Sequence, residues 1–89
     1  MKRLLKKSRK KKGPGKMRNA SELTTGENAV IVKIDFNHPS AKRLIELGFT
    51  PGQQIQLVGK SFFDDPVAFA IRGTVIAVRK SEASCLKVR

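Results

Sequence analysis

The sequence predicts a mainly β domain, a small barrel of about five strands with one short helix inserted after the first. Three observations carry this. From residue 29 onward, short segments alternate apolar and polar side chains at the period of a strand. Between them lie brief turn-forming pieces such as Thr50-Pro51-Gly52-Gln53 and Arg72-Gly73. Ala41–Leu47 breaks the pattern, with Ala41, Leu44, Ile45 and Leu47 at near-helical spacing. Five short strands cannot stand as an open sheet with one bare face, so the sheet is expected to curl on itself and remove its edges.

Charge divides the chain in two. The 89 residues carry a formal net charge of +12. Residues 1–18 hold ten bases and no acid, which leaves nine bases against seven acids in residues 19–89, a net of +2. A polycationic tail over residues 1–18, expected to be disordered, is therefore joined to a nearly neutral domain over residues 19–89. Lys2, Arg3, Lys6, Lys7, Arg9, Lys10, Lys11 and Lys12 are the candidate contacts to a polyanion, either an anionic membrane surface or nucleic acid. The tail has no aromatic residue to stack on bases, which speaks against sequence-specific RNA recognition.

The elements follow in order. Ser21–Gly26 is expected to form a single helical turn that lays Leu23 over one end of the barrel. Ala29–Phe36 is the first strand, with Val30, Val32, Ile34 and Phe36 on the inner face. Pro39 suits the start of the helix, and His38 or Ser40 is the candidate cap, Ser40 being the better acceptor. Leu44, Ile45 and Leu47 are expected in the core. Gly48 falls where a left-handed residue ends a helix, and Pro51-Gly52 suits a type II turn. Gln54–Val58 alternates as a half-buried strand. The next connection, Gly59–Pro66, is the longest and carries Phe62 and Phe63 side by side. Val67–Ile71 is a strand with Val67, Phe69 and Ile71 inward. Arg72-Gly73 reverses the chain, as a tight turn or as a longer loop with a bulge at Gly73. Thr74–Val78 is apolar on both faces, so it is expected to be central in the sheet. Arg79–Ser84 reads as one helical turn, and Cys85–Val88 closes the domain with Leu86 and Val88 inward. The assembled architecture is an SH3-like barrel.

At this point the chain resembles the FeoA family. The resemblance rests on Leu44-x-x-Leu47-Gly48-Phe49-x-Pro51-Gly52, then Asp65-Pro66, Arg72-Gly73 and Ala77-x-Arg79-x-x-x-Ala83, with Leu23-x-x-Gly26-Glu27 ahead of them. It covers roughly residues 20–88. The family often has Gly-Asp-Pro where this chain has Asp64-Asp65-Pro66, and the basic tail is not part of its pattern. The resemblance implies an SH3-like barrel and a cytosolic accessory of bacterial ferrous-iron uptake. Its implied partner is the cytosolic part of FeoB, a membrane transporter with a GTP-binding domain. A second reading, from the tail and the fold class, is an RNA-binding SH3-like protein.

No catalytic constellation is visible, and the chain is expected not to be an enzyme. His38 is the only histidine and Cys85 the only cysteine, which permits no internal disulfide. A metal site would need both of them to converge with carboxylates, so no metal or cofactor is expected. Neither Gly13-x-Gly15 nor Gly48-x-x-x-Gly52 has the lysine and hydroxyl of a nucleotide loop. No apolar run is long enough to span a bilayer, and Leu4-Leu5 is too short for a signal peptide's apolar region. The expected location is the cytoplasm, with peripheral contact at the inner membrane face through the tail. The candidate partner-binding residues are Phe62, Phe63, Leu47 and Phe49. Gly48, Pro51, Gly52 and Gly73 are assigned structural turn roles.

Overall fold

The computed structural model describes residues 17–63 and 65–89. The proposed polyanion contacts, Lys2 through Lys12, lie outside the described residues. Six antiparallel strands run in the order β1-β6-β2-β3-β4-β5. They are β1 (Arg18–Asn19), β2 (Asn28–Ile34), β3 (Gln54–Lys60), β4 (Val67–Ile71), β5 (Thr74–Val78) and β6 (Leu86–Val88). Helix α1 spans Ala41–Leu47 between β2 and β3, and the one-turn helix α2 spans Lys80–Ala83 before β6.

Strand β2 is the pivot. One stretch of it pairs with β3 and another with β6. It thus belongs to both β1-β6-β2 and β2-β3-β4-β5, which wrap one apolar core. A register shift between Ile31 and Lys33 bends the strand at the crossing point. This bulge corrects the expected phase. Ala29, Ile31 and Ile34 are the buried residues, whereas Val30 and Val32 are half-buried. The odd spacing from Ile31 to Ile34 is what an extra residue in a strand produces, because side chains alternate only while the ladder is regular. Phe36 is not inward: the strand has ended, and its ring is 72% exposed.

Two turn assignments hold in detail. Gly48 has φ 109° and closes α1, its N–H donating back to Ile45 and Leu44. Gly52 has φ 92°, and the Gln53 N–H donates to the Thr50 carbonyl at 3.0 Å, as a type II turn requires. Arg72 (φ 52°) and Gly73 (φ 81°) form the tight alternative at the β4–β5 reversal, a two-residue loop with both central residues left-handed.

The N-terminal boundary moves. Arg18 does not belong to the tail: it pairs with Val88 across β1 and β6, and its guanidinium bridges Glu27. The turn expected over Ser21–Gly26 is a shorter 3-10 turn over Ala20–Glu22, capped by Asn19, whose side-chain oxygen accepts from the Ser21 N–H at 3.1 Å. Leu23 is fully buried, as expected. Glu27 then accepts from the Thr24 N–H at 3.0 Å, so one carboxylate ties β1 to the turn that enters β2.

Strand β5 is an edge, not a central strand. It pairs with β4 and has no second neighbour among the described residues. Its two apolar faces have different causes. Ile76 and Val78 pack on the core, while Val75 is 63% exposed. Within the helix, Ala41 and Leu44 are buried and Ile45 packs against the core, but Leu47 is 36% exposed. A helix of seven residues turns only part of its surface to the barrel, and Leu47 lies at the rim of that stripe.

Candidate docking surface

The apolar loop between β3 and β4 is the most exposed hydrophobic feature of the described residues. The strands end at Lys60 and resume at Val67, which are paired across the hairpin. Phe62 and Phe63 project from the connection, 89% and 82% exposed. Their rings pack edge to face, with centroids 4.8 Å apart. Adjacent side chains of an extended segment point to opposite sides, but these two lie in a turn, which brings both to the outside. Such a pair forms one apolar knob rather than two independent side chains.

Behind the knob the loop is anchored to α2. The Asp65 carboxylate accepts the Lys80 N–H at 2.8 Å and lies 3.8 Å from the Arg79 Nε. This holds the loop's far end against the C-terminal end of β5.

Of the other proposed partner residues, Leu47 is exposed on α1 and remains available. Phe49 is not: it is fully buried, edge to face with Phe69 at a centroid distance of 6.0 Å. Gly48 causes the difference, because its left-handed backbone redirects the chain between Leu47 and Phe49. Three exposed apolar residues escaped the sequence reading. Val58, Val75 and Phe36 were assigned to strands, where alternation alone does not tell an inner face from a surface one.

The polar groups in the region serve the fold. Glu82 accepts from the Ser40 hydroxyl and from Arg43, both at 2.8 Å, and from the Arg79 N–H at 2.9 Å. One carboxylate thus links the start of α1 to the start of α2. Ser40 occupies the N-cap position without capping, since its hydroxyl is used on Glu82, and its own N–H donates to His38 Nδ1 at 3.0 Å. Arg43, the Arg79 N–H and Ser40 together hold the Glu82 carboxyl down at about 2, from an ordinary value of 4.5. A depressed carboxyl stabilises the fold fully above its ordinary value and loses that contribution as pH falls toward the folded value. Stability is therefore expected to fall along an acid limb between about pH 4.5 and about pH 2, to which Glu82 contributes. Glu82→Gln is expected to flatten this limb and to cost about 1–2 kcal/mol at neutral pH, the exposed side of the Arg43 pair being discounted for solvent screening. Urea midpoints across the acid range check it, and an unchanged limb in the variant would contradict the assignment.

Cys85 is buried, and burial, with Asp35 nearby, pushes its thiol up, so it stays protonated and unreactive near neutrality. No three His, Cys, Asp or Glu side chains come together to hold a metal ion among the described residues. No helix among them is long and apolar enough to cross a membrane.

A β2 strand shared by two curled sheets and a helix inserted between β2 and β3 define an SH3-like domain. The FeoA domain model matches residues 19–89, and the chain belongs to the FeoA family. A curated relative from Porphyromonas gingivalis is a fusion of Fe(2+) transport protein A and the Fe(2+) transporter FeoB. It is 35% identical over 68 residues, which are 76% of this chain and only 8% of that protein. Among solved structures, the FeoA-like protein of Clostridium acetobutylicum superposes with a TM-score of 0.79 at 26% identity, over 83% of this chain and 86% of that one. Stenotrophomonas maltophilia FeoA, solved with zinc and described as an SH3 domain protein possibly acting as a ferrous iron transport activating factor, superposes at 0.70 with 32% identity, over 80% of this chain and 88% of that one.

Proposed function

We propose that this chain is a cytosolic accessory of bacterial ferrous-iron uptake that docks on the cytosolic part of a FeoB-type transporter and acts by binding rather than catalysis. The observation that carries this is the Porphyromonas gingivalis relative, in which a homologous domain shares one polypeptide with FeoB. Two domains fused in one protein are held at high effective concentration, which suits partners that meet as separate chains elsewhere. The contact residues are Phe62 and Phe63, with Leu47 as a second apolar point. A small domain of this kind biases a transporter only by binding one of its conformations better than another. The tail adds reach to the anionic inner leaflet, at about 1 kcal/mol per base near the surface.

The ten bases of residues 1–18 also favour the RNA reading, and one experiment separates the two. Full-length chain and a variant lacking residues 1–16 are tested for binding to the transporter's cytosolic domain and to single-stranded RNA over a salt series. The cut leaves Arg18 in β1. Transporter binding is expected to survive the deletion and to change little with salt, because it rests on apolar contacts. RNA binding is expected to vanish with the tail and to fall steeply with salt, at a log–log slope of about −0.7 per phosphate neutralised. Loss of transporter binding in a folded truncated chain would overturn the docking reading and favour the polyanion one.

A further inference from the structure

Among the described residues the sheet has two free edges of unequal kind. At one end β1 is only two residues long and carries Arg18. At the other, β5 offers five residues, Thr74-Val75-Ile76-Ala77-Val78, with no charge, proline or bulge. Such an edge is unusual, since natural edge strands are commonly shortened, charged or bent to prevent pairing.

The register states which backbone groups are free. The two-residue loop makes Ile71 and Thr74 a hydrogen-bonded pair, and such pairs alternate along an antiparallel ladder. Thr74, Ile76 and Val78 therefore turn their N–H and C=O groups toward β4. Val75 and Ala77 turn theirs outward. Neither residue enters any backbone hydrogen bond outside the ladder among the described residues. Two donors and two acceptors thus stand in a row, beside the exposed Val75 side chain and the half-buried Ile76.

Charge selects the occupant. The edge is bracketed by exposed Arg72 at its start and by exposed Arg79 and Lys80 at its end, where Asp65 lies 3.8 Å from Arg79 and leaves a net positive charge. A second copy, paired antiparallel about Ile76 so that all of β5 is used, would bring its Arg72 turn to the Arg79–Lys80 end of this strand, twice over by symmetry. That would gather Arg72, Arg79 and Lys80 at each end with Asp65 beside Arg79, an excess of positive charge that disfavours self-pairing. A strand with carboxylates at its ends meets the opposite situation.

We propose that the free edge of β5 receives, by strand addition, an extended segment of a partner protein with an apolar centre and acidic ends. The segment's backbone pairs with Val75 and Ala77, which supplies affinity. An apolar side chain opposite Ile76 extends the core-facing side of the sheet, and the terminal carboxylates meet Arg72 and the Arg79–Lys80 pair. The C-terminal end of the edge adjoins the Asp65 end of the β3–β4 loop, which is held to Arg79 and Lys80. The assignment concerns the chemistry of the segment and holds whichever protein carries it.

Backbone amide exchange of the full chain tests it, with and without an acetylated, amidated peptide that has an alternating Thr/Val centre and paired aspartates at both ends. In the free protein Val75 and Ala77 are expected to exchange faster than Ile76 and Val78. Saturating peptide is expected to slow both outward amides at least about tenfold. The same peptide with lysines at its ends is expected to bind at least about tenfold more weakly. Ala77→Pro removes an outward N–H that takes no part in the ladder to β4, and it is expected to abolish the protection. If that variant does not fold, Val75→Asp, which opposes the acidic peptide, is expected to do the same. Unchanged exchange at Val75 and Ala77 in millimolar peptide would overturn the proposal, as would equal binding of the lysine-ended peptide. Protection of those amides that grows with protein concentration alone would assign the edge to a second copy instead.

Discussion

Phe49→Ala is expected to lower the unfolding free energy by about 3–5 kcal/mol, the largest effect of any single side chain considered. Phe49 and Phe69 are both fully buried and meet edge to face. Truncation removes the apolar surface of one ring, leaves a cavity that neighbouring strands cannot fill, and deletes an aromatic pair worth about 0.5–1.5 kcal/mol beyond its area. A small domain has about 5–15 kcal/mol in all, so the variant should stand near the edge of folding. Leu47→Ala, two positions earlier, is expected to cost about 1 kcal/mol or less, because Leu47 lies at the rim of the helix. Urea titration of both variants measures the contrast. Similar midpoints would mean that Gly48 does not separate a surface residue from a core residue as the structure has it.

That contrast also marks what the sequence can and cannot say. Turn chemistry was legible because it is local. Gly48 and Gly52 each take the positive φ that their turn types demand, whereas Arg72-Gly73 fitted a tight turn and a bulged loop equally and only the structure decides for the tight turn. The inward residues of β4 and β6 were legible for the same reason, since both strands alternate without interruption. The phase of β2 was not. Ile34 came out inward only because the bulge after Ile31 added a residue, and nothing in Val-Ile-Val-Lys announces a bulge. The edge position of β5 was not legible, because a strand apolar on both faces has the pattern of a central one, whereas Val75 and Ala77 face solvent. The polar dipeptide Arg18-Asn19 carries no strand signal, and its pairing with β6 is tertiary in origin. In the candidate docking surface, the crowding of Phe62 and Phe63 was readable, but the opposite placements of Leu47 and Phe49 were not. Both are apolar, and only the direction of the chain after Gly48 separates them.

Phe62→Ser with Phe63→Ser is expected to reduce affinity for the transporter's cytosolic domain at least about thirtyfold while leaving the fold almost intact. The two rings are the most exposed large hydrophobic side chains among the described residues, so folding gains little from them beyond their mutual contact. Their removal should therefore cost the free domain at most about 1 kcal/mol. At an interface the same rings would go from nearly full exposure to burial. Aromatic anchors in a desolvated centre commonly contribute about 2 kcal/mol or more, and about 1.4 kcal/mol corresponds to a tenfold change in the dissociation constant. Their edge-to-face packing at 4.8 Å lowers the entropy lost on binding, since the pair already limits the rotamers of each ring. Calorimetric titration gives the affinity, and urea titration of the same preparations gives the stability. A large loss of stability would place the pair in the core, against its exposure. Full affinity in a folded double variant would move the docking site away from the β3–β4 loop, leaving Leu47 on α1 and the β5 edge as the surfaces to test next.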